Sequence, residues 1–350
     1  MSDYAVLILP AMNRVYAESS VALTQAELGV LNQSVLGGRL HGIASAVIAG
    51  VSYVRFSADG LTQRDMDLLA NLSSLYALFE VRGALLEPIA MRRLDKFGDD
   101  LMTIQKYSGK TNEQFTKLLL NVTLFATEFG SEILDRKFHI FDPMCGRGTT
   151  LNQALLYGFD ASGVEIDGKD FDAYELFLLT WLKNNRLKHD TEQGPKRNNS
   201  KGLASRLRVN IAASKESYKS GQTTHVTVIN ADTVRAAEFF GRQTFDAIVT
   251  DAPYGVQHGS RTEDKGLTRS PLELLSAALP VWIPLLKPGG AVGIAWNTRV
   301  AKRELVVDAL EKSGLIPQQS EAFLQFKHRV DQSIQRDIVV GRKPGLAGTQ

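Results

Sequence analysis

Apolar and polar positions change rhythm about a hundred residues into the chain. Before that point, short alternating runs and helical spacings mix without a repeating order. "YAVLILP" and "SYVRFSA" read as strands. "LTQAELGVLNQ" and "LTQRDMDLLANLSSLYALF" space their apolar residues as helices do, with Thr or Ser near their starts. A small α+β domain over residues 1–100 is expected. From residue 101 onward the pattern becomes regular. Apolar runs at 138–142 ("FHIFD"), 161–165 ("ASGVE"), 225–230 ("HVTVIN"), 245–250 ("FDAIVT") and 290–296 ("GAVGIAW") predict strands. Helical stretches lie before and between them, at 116–125, 170–185 and 270–286. Short apolar strands alternating with helices predict a mostly parallel sheet covered on both faces. The tail, "EAFLQFKHRV" then "SIQRDIVVGRK", has no helix of crossover length between its runs, so an antiparallel hairpin is expected to close one sheet edge.

Composition narrows the function. The chain has 350 residues, 44% of them hydrophobic, which suits two domains with proper cores, 1–100 and 101–350. A single cysteine, Cys145, excludes a disulfide framework, a cysteine-rich zinc site and an iron–sulfur cluster. Six histidines without ligand spacing suggest no metal site. Asp3 stands where a leader peptide carries Lys or Arg, and "GIASAVIAGV" at 42–51 is too short to span a bilayer. A cytoplasmic protein without membrane contact is expected. The net charge of +2 hides an uneven distribution. Residues 183–219 hold ten Lys or Arg against three acids, whereas residues 1–100 hold eight against eleven. The basic segment is therefore expected to be an arm that grips phosphates, with Lys196, Arg197, Lys201, Arg206 and Arg208 as its contacts.

Two segments carry the chemistry. "HIFDPMCGRGTT" at 139–150 is a strand ending in Asp142, then a turn through Cys145, Gly146 and Gly148, then a helix starting at Thr149 and Thr150. That is a cradle for a nucleotide-like cofactor, because glycine lets the backbone approach and the helix start offers free amides. Further strand ends add Glu165 with Asp167, then Asp232, then Asp251. Glu165 is placed to accept hydrogen bonds from ribose hydroxyls, and Asp232 to meet an adenine edge. Several carboxylates do not suit phosphates, but they do suit a cofactor with a sulfonium cation. The second segment, "VTDAPYG" at 249–255, sets a carboxylate, a proline and an aromatic ring in a row.

"FDPMCGRGTT", "GVEID", "INAD" and "TDAPYG" resemble, in order and spacing, the motifs of class I S-adenosylmethionine-dependent methyltransferases. Within that class the chain looks like the tRNA guanine-N2 methyltransferase branch of the RNA and DNA amino-methyltransferases, over about residues 105–343. "KYSGKTNEQFTKLLLN" is similar to that branch's segment near the methionine end of the cofactor. The resemblance implies a Rossmann-like α/β fold with a C-terminal antiparallel hairpin. It implies S-adenosyl-L-methionine held by Asp142, Cys145, Gly146, Gly148, Thr149, Glu165, Asp167 and Asp232. It also implies an amino-group site at Asp251, Ala252, Pro253 and Tyr254. Ala252 departs from the family, which usually has a second proline there. Its carbonyl is still an acceptor, and Ala252→Pro is expected to be tolerated.

Such a site suits an exocyclic amine, whose lone pair is conjugated into its ring. Asp251 and the carbonyl of residue 252 can accept its N–H bonds, while Tyr254 stacks on the base. His258 and Arg261, on the loop that follows, are substrate-facing candidates. The expected activity is methylation of guanine N2 in tRNA, with adenine N6 of DNA or RNA as the alternative. A non-catalytic nucleic-acid-binding module is the rival from another class, and intact Asp251, Pro253 and Tyr254 speak against it. Cysteine-dependent methylation of a pyrimidine carbon is disfavoured, since Cys145 lies in the cofactor turn. The net negative first domain supplies no evident RNA-binding surface.

Overall fold

The computed structural model describes residues 1–11, 13–194, 204–252 and 271–346. Among these, the strands form two sheets. The first is antiparallel and holds β1 (Ser2–Ile8), β2 (Leu40–Ile48), β3 (Val51–Ala58), β4 (Leu75–Arg82) and β5 (Leu85–Pro88) in the order β2-β3-β1-β4-β5. Against it lie α1 (Arg14–Ser34), whose start Asn13 caps through Val15 N–H, and α2 (Gln63–Leu69), which opens on a Thr62–Asp65 capping box. β2 and β3 meet at Ala49-Gly50, both with positive φ, as a tight two-residue hairpin requires. The helix expected over 61–79 ends at Leu69, and β4 occupies its second half. Tyr76 and Phe79 are β-forming residues, and β4 pairs along β1 from Asp3↔Val81 to Ile8↔Leu75. Cross-strand pairing has overridden a helical spacing.

The second sheet carries the alternating half of the chain. After α3 (Asp100–Thr103) and α4 (Glu113–Phe125) come β6 (His139–Asp142), α5 (Thr149–Leu156), β7 (Asp160–Glu165) and α6 (Gly168–Asn184). Then follow β8 (Lys188–Gln193), β9 (Ser205–Ala212), α7 (Lys215–Lys219), β10 (Thr224–Asn230) and β11 (Phe245–Asp251). The last elements are α8 (Pro271–Trp282), β12 (Leu286–Asn297), α9 (Arg303–Lys312), β13 (Ile316–Pro317), β14 (His328–Arg329) and β15 (Gln335–Arg342). The order is β13-β15-β12-β11-β6-β7-β10-β9-β8, with β14 on β15. The strands from β12 to β10 are parallel; β15 runs antiparallel to β12, and β9 to β10.

Two sequence expectations change here. The described part of the basic segment is largely regular: β8 and β9 form an antiparallel pair that widens the sheet beyond β10. Its alternation was legible, because Leu207, Val209 and Ile211 are buried between the more exposed Arg206, Arg208 and Asn210. Polar β8 suits an edge strand. In the tail, Glu321–Leu324 is a 3-10 turn, and only His328 and Arg329 pair with β15. β15 does not close the sheet; the two-residue β13 lies outside it.

The two sheets share one apolar cluster, which runs from Tyr4 and Leu28 through Leu118 and Leu155 to Val340. A buried polar network crosses the junction. Glu27 of α1 accepts hydrogen bonds from Ser73 (amide at 2.9 Å, hydroxyl at 2.6 Å) and from Asn121 Nδ2 of α4 at 2.7 Å. Asn121 Nδ2 also reaches the Asn71 carbonyl, and the Tyr157 hydroxyl donates to Asn121 Oδ1 at 3.0 Å. Burial holds the Glu27 carboxyl above its usual range, against the Asn121 and Ser73 donors that pull it down. Asn121→Ala removes two donors and an acceptor that Glu27, Asn71 and Tyr157 depend on. It should cost about 2–4 kcal/mol, with loss of both sheets in a single urea transition. Separate transitions for the two sheets would contradict this coupling.

Candidate active site

The parallel strands end along one edge, where the acids lie. After β6 the chain turns over the end of β7. Cys145 N–H donates to the Val164 carbonyl at 3.0 Å, and Gly146 N–H donates to Glu165 Oε2 at 2.7 Å. The other carboxylate oxygen, Oε1, accepts from Asp167 N–H at 2.8 Å. Glu165 therefore ties the glycine turn to its own loop. Burial raises its carboxyl, and the Asp167 and Gly146 amides act the other way. Each carboxylate oxygen has about two acceptor positions, and these two amides take one on each.

Glycine is required at Gly148, whose φ is +78° and where a Cβ would stand 2.2 Å from the Tyr174 ring. Gly146, at φ +52°, has no atom within 4 Å of where its Cβ would be. That open space over a left-handed turn is room for a cofactor to approach the backbone. Cys145 is buried, and a Cβ on Gly163 would lie 2.7 Å from its sulfur, so the thiol occupies the notch that glycine leaves. Burial pushes this thiol far up, as befits an inert packing residue.

Asp142 is buried and accepts from the Met144 amide at 3.1 Å. Burial raises its carboxyl to about 7, opposed by the Thr150 hydroxyl and the Met144 amide; the charge of Asp251 adds to the rise. Thr149 Oγ1 meets the Tyr107 hydroxyl at 3.2 Å, and Arg147 lies over the Tyr107 ring while pairing with Asp170. Asp167 caps α6 through Lys169 N–H, and Asp232 caps the turn after β10 through Val234 N–H. Sequence patterns place both acids correctly, yet each already has a helix-start amide to hold.

Asp251 ends β11. Its Oδ2 accepts from the Thr111 hydroxyl at 2.8 Å and lies 3.3 Å from the guanidinium of Arg336, itself buried over the Phe115 ring. The expectation for the segment around Thr111 thus acquires a geometry: Tyr107 touches the cofactor turn and Thr111 touches Asp251. Arg336 was not foreseen. It lies 85 positions from Asp251 in sequence and arrives only because β15 inserts beside β12, with Asn297↔Arg336 in register.

Ala252 corrects an expectation. Its N–H donates to the Ala295 carbonyl at 2.8 Å and its side chain is buried. Proline there would remove that bond, so the substitution is not neutral. Pro253, Tyr254, His258 and Arg261 lie outside the described residues, as do Lys196, Arg197 and Lys201. Arg206 and Arg208 are described, and both are ion-paired with Glu192 on the β8–β9 hairpin. They face a carboxylate of their own chain, far along the sheet from β11. Among the described residues no acid, histidine or cysteine cluster could hold a metal, and no helix is long and apolar enough to cross a membrane.

The strand order, antiparallel β15, the glycine turn after β6 and the acid ending β7 define a class I methyltransferase fold, the class whose methyl donor is S-adenosylmethionine. Residues 134–288 match the family described as "UPF0020: RMKL-like, methyltransferase domain". No curated protein matches the chain's sequence. Solved structures of similar arrangement include TrmN from Thermus thermophilus, 13% identical with a TM-score of 0.43, over 98% of this chain and 100% of that one. Another is the T. thermophilus 16S rRNA N2 G1207 methyltransferase RsmC, solved with AdoMet and guanosine: 16% identical, TM-score 0.38, over 87% and 51%. A third is precorrin-6y C5,15-methyltransferase from Geobacter metallireducens, 12% identical, TM-score 0.37, over 71% and 98%. No residue role is carried over from these structures.

Two predictions follow from the geometry. Asp142 keeps its proton to about pH 7 in the fold, against 3.8 when unperturbed. Between those values the native state binds the extra proton, so this group makes stability fall as pH rises from about 4 to about 7. Without cofactor, Asp142→Asn should therefore gain on wild type in melting temperature above pH 7 and show no such gain below pH 4. Parallel melting curves across that range would contradict this. Ala252→Pro should lose roughly 1–3 kcal/mol in urea unfolding, for the unpaired Ala295 carbonyl; unchanged stability would restore the original expectation.

Proposed function

We propose that this chain methylates an exocyclic amino group of a nucleic-acid base, guanine N2 of tRNA, with S-adenosylmethionine as donor. The observation that carries the reading is the Asp251 carboxylate, fixed by Thr111 and Arg336 at the strand end beside the glycine turn. Its placement suits one task, accepting an N–H from an amine presented at the crevice. Bound S-adenosylmethionine supplies an activated methyl group. Glu165 and Asp167 would orient its ribose, Asp232 or its backbone would meet the adenine edge, and Asp142, Gly146, Gly148 and Thr149 would hold it along the turn after β6. Cys145 contributes by packing beneath the turn.

Asp251 and the Ala252 carbonyl accept the two N–H bonds of the target amine and aim its lone pair along the transfer line. Pro253 and Tyr254 complete the motif, with Tyr254 stacking on the base. Fixing the amine in line is worth much of the acceleration, since a displacement of about 1 Å can cost roughly 100-fold. Asp251 need not be a strong base, because the alkylated nitrogen is acidic and releases its proton afterwards. A base within a duplex is flipped out first.

Nucleoside mass spectrometry of tRNA, rRNA and DNA from cells lacking the protein should show N2-methylguanine missing from tRNA. Loss of N6-methyladenine instead would move the target to adenine, and no loss of any methylated base would remove the reading. With the purified enzyme, Asp251→Ala should lower methyl transfer at least roughly 100-fold while S-adenosylmethionine affinity by calorimetry stays near wild type. Thr111→Val should lower kcat by less, again without weakening the cofactor. Near-normal turnover by Asp251→Ala would rule out the amino-group mechanism.

A further inference from the structure

In the basic segment at 183–219, the described Arg206 and Arg208 share Glu192. Cations on the β12 and β15 side of Asp251 are arranged differently. The loop after β12, residues 298–302, and the stretch 327–330 around β14 contain Arg299, Lys302, Lys327 and Arg329 and no acid. All four side chains are exposed. Among the described residues none of the four forms an ion pair. Arg299 is within electrostatic reach of Asp331, and Lys327 of Asp337. Both acids have partners already: Asp331 Oδ1 accepts from the amides of Ser333 and Ile334, and Asp337 is buried against Arg303 at 2.8 Å. Asp337 is thus matched by Arg303, and Asp331 offsets one of the four cations, which leaves the group net positive.

Strand register sets where these cations stand. Asp251 pairs with Ala295, Asn297 with Arg336, and His328 with Arg336, the residue that also contacts Asp251. Lys327 and Arg329 flank that rung. Arg299 lies in the turn that follows β12, two residues past Asn297. The loop is not slack. Asn297 Oδ1 accepts from Arg299 N–H and Gln335 N–H, and Thr298 N–H donates to the Gln335 carbonyl at 2.7 Å. The cations thus form a fixed rim on the side of the crevice away from the cofactor turn. On the cofactor side, Lys110 and Arg147 are paired with Glu113 and Asp170.

We propose that Arg299, Lys302, Lys327 and Arg329 bind the phosphates of the nucleic-acid strand that carries the target base. This rests on the proposed function. A strand presenting one base to Asp251 places its neighbouring phosphates beside that residue, and a net positive rim on a braced loop and hairpin meets them at little ordering cost.

The test is binding of a fluorescently labelled 20-nucleotide single-stranded RNA, and of duplex DNA of the same sequence, across a salt series. The fourfold variant Arg299→Ala, Lys302→Ala, Lys327→Ala, Arg329→Ala should bind the RNA more weakly. Its log–log salt slope should be shallower by about 0.7 per lost contact, or about 3 in all. S-adenosylmethionine affinity and melting temperature should match wild type. Arg299→Lys with Arg329→Lys keeps the charge and should retain binding. Arg206→Ala with Arg208→Ala should leave the slope unchanged. Wild-type affinity and slope in the fourfold variant would overturn the rim while leaving the proposed function standing. A wild-type protein with no salt-dependent affinity for either nucleic acid would overturn both. Loss confined to the duplex DNA would overturn the single-strand assignment.

Discussion

The crevice depends on one carboxylate bridging two loops. Glu165 accepts from Gly146 N–H with one oxygen and from Asp167 N–H with the other. That holds the end of β6 and the end of β7 in one geometry. The turn can lie so close to β7 only because Gly163 leaves a notch for the Cys145 sulfur and Gly148 leaves one for the Tyr174 ring. A buried acid is costly alone, and here amide donors offset that cost. Removing any of these fits would misplace the backbone of the glycine turn.

A second constraint gathers Asp251 from three parts of the chain. Thr111 arrives from the segment before α4, Arg336 from the inserted strand β15, and Asp251 itself from β11. Arg336 rests on Phe115, which contacts His328, and His328 meets the Tyr16 ring of α1. Burial lowers the His328 imidazole to about 4, so it packs there as a neutral ring at neutral pH. The first sheet is therefore connected to the Asp251 end of β11 through packed rings, as well as through the buried Glu27–Asn121 contact.

Charge distribution in the fold differs from charge distribution along the chain. The strongest basic run in sequence contributes a hairpin on the far sheet edge, where Arg206 and Arg208 meet Glu192. Four further cations, in two short stretches about 25 positions apart, stand beside β12 and β15. A linear window measures local composition, but a phosphate responds to the potential at one place on the surface.

Local patterns in the chain are enough for the alternating half of the molecule and the positions of its acids. Strands at β6, β7, β10, β11 and β12 follow from short apolar runs bounded by turn residues, and Gly146, Gly148 and Glu165 from a motif whose spacing is local. Local spacing also made β9 legible, through the alternation of Leu207, Val209 and Ile211. Only the tertiary structure decided that 75–79 pairs as a strand along β1, that β15 inserts between β12 and β13, and that Arg336 and Thr111 meet Asp251. The reason is physical. Periodicity reports which face of an element is apolar, whereas a strand's partner and a buried ion pair are chosen by register with residues far away in sequence.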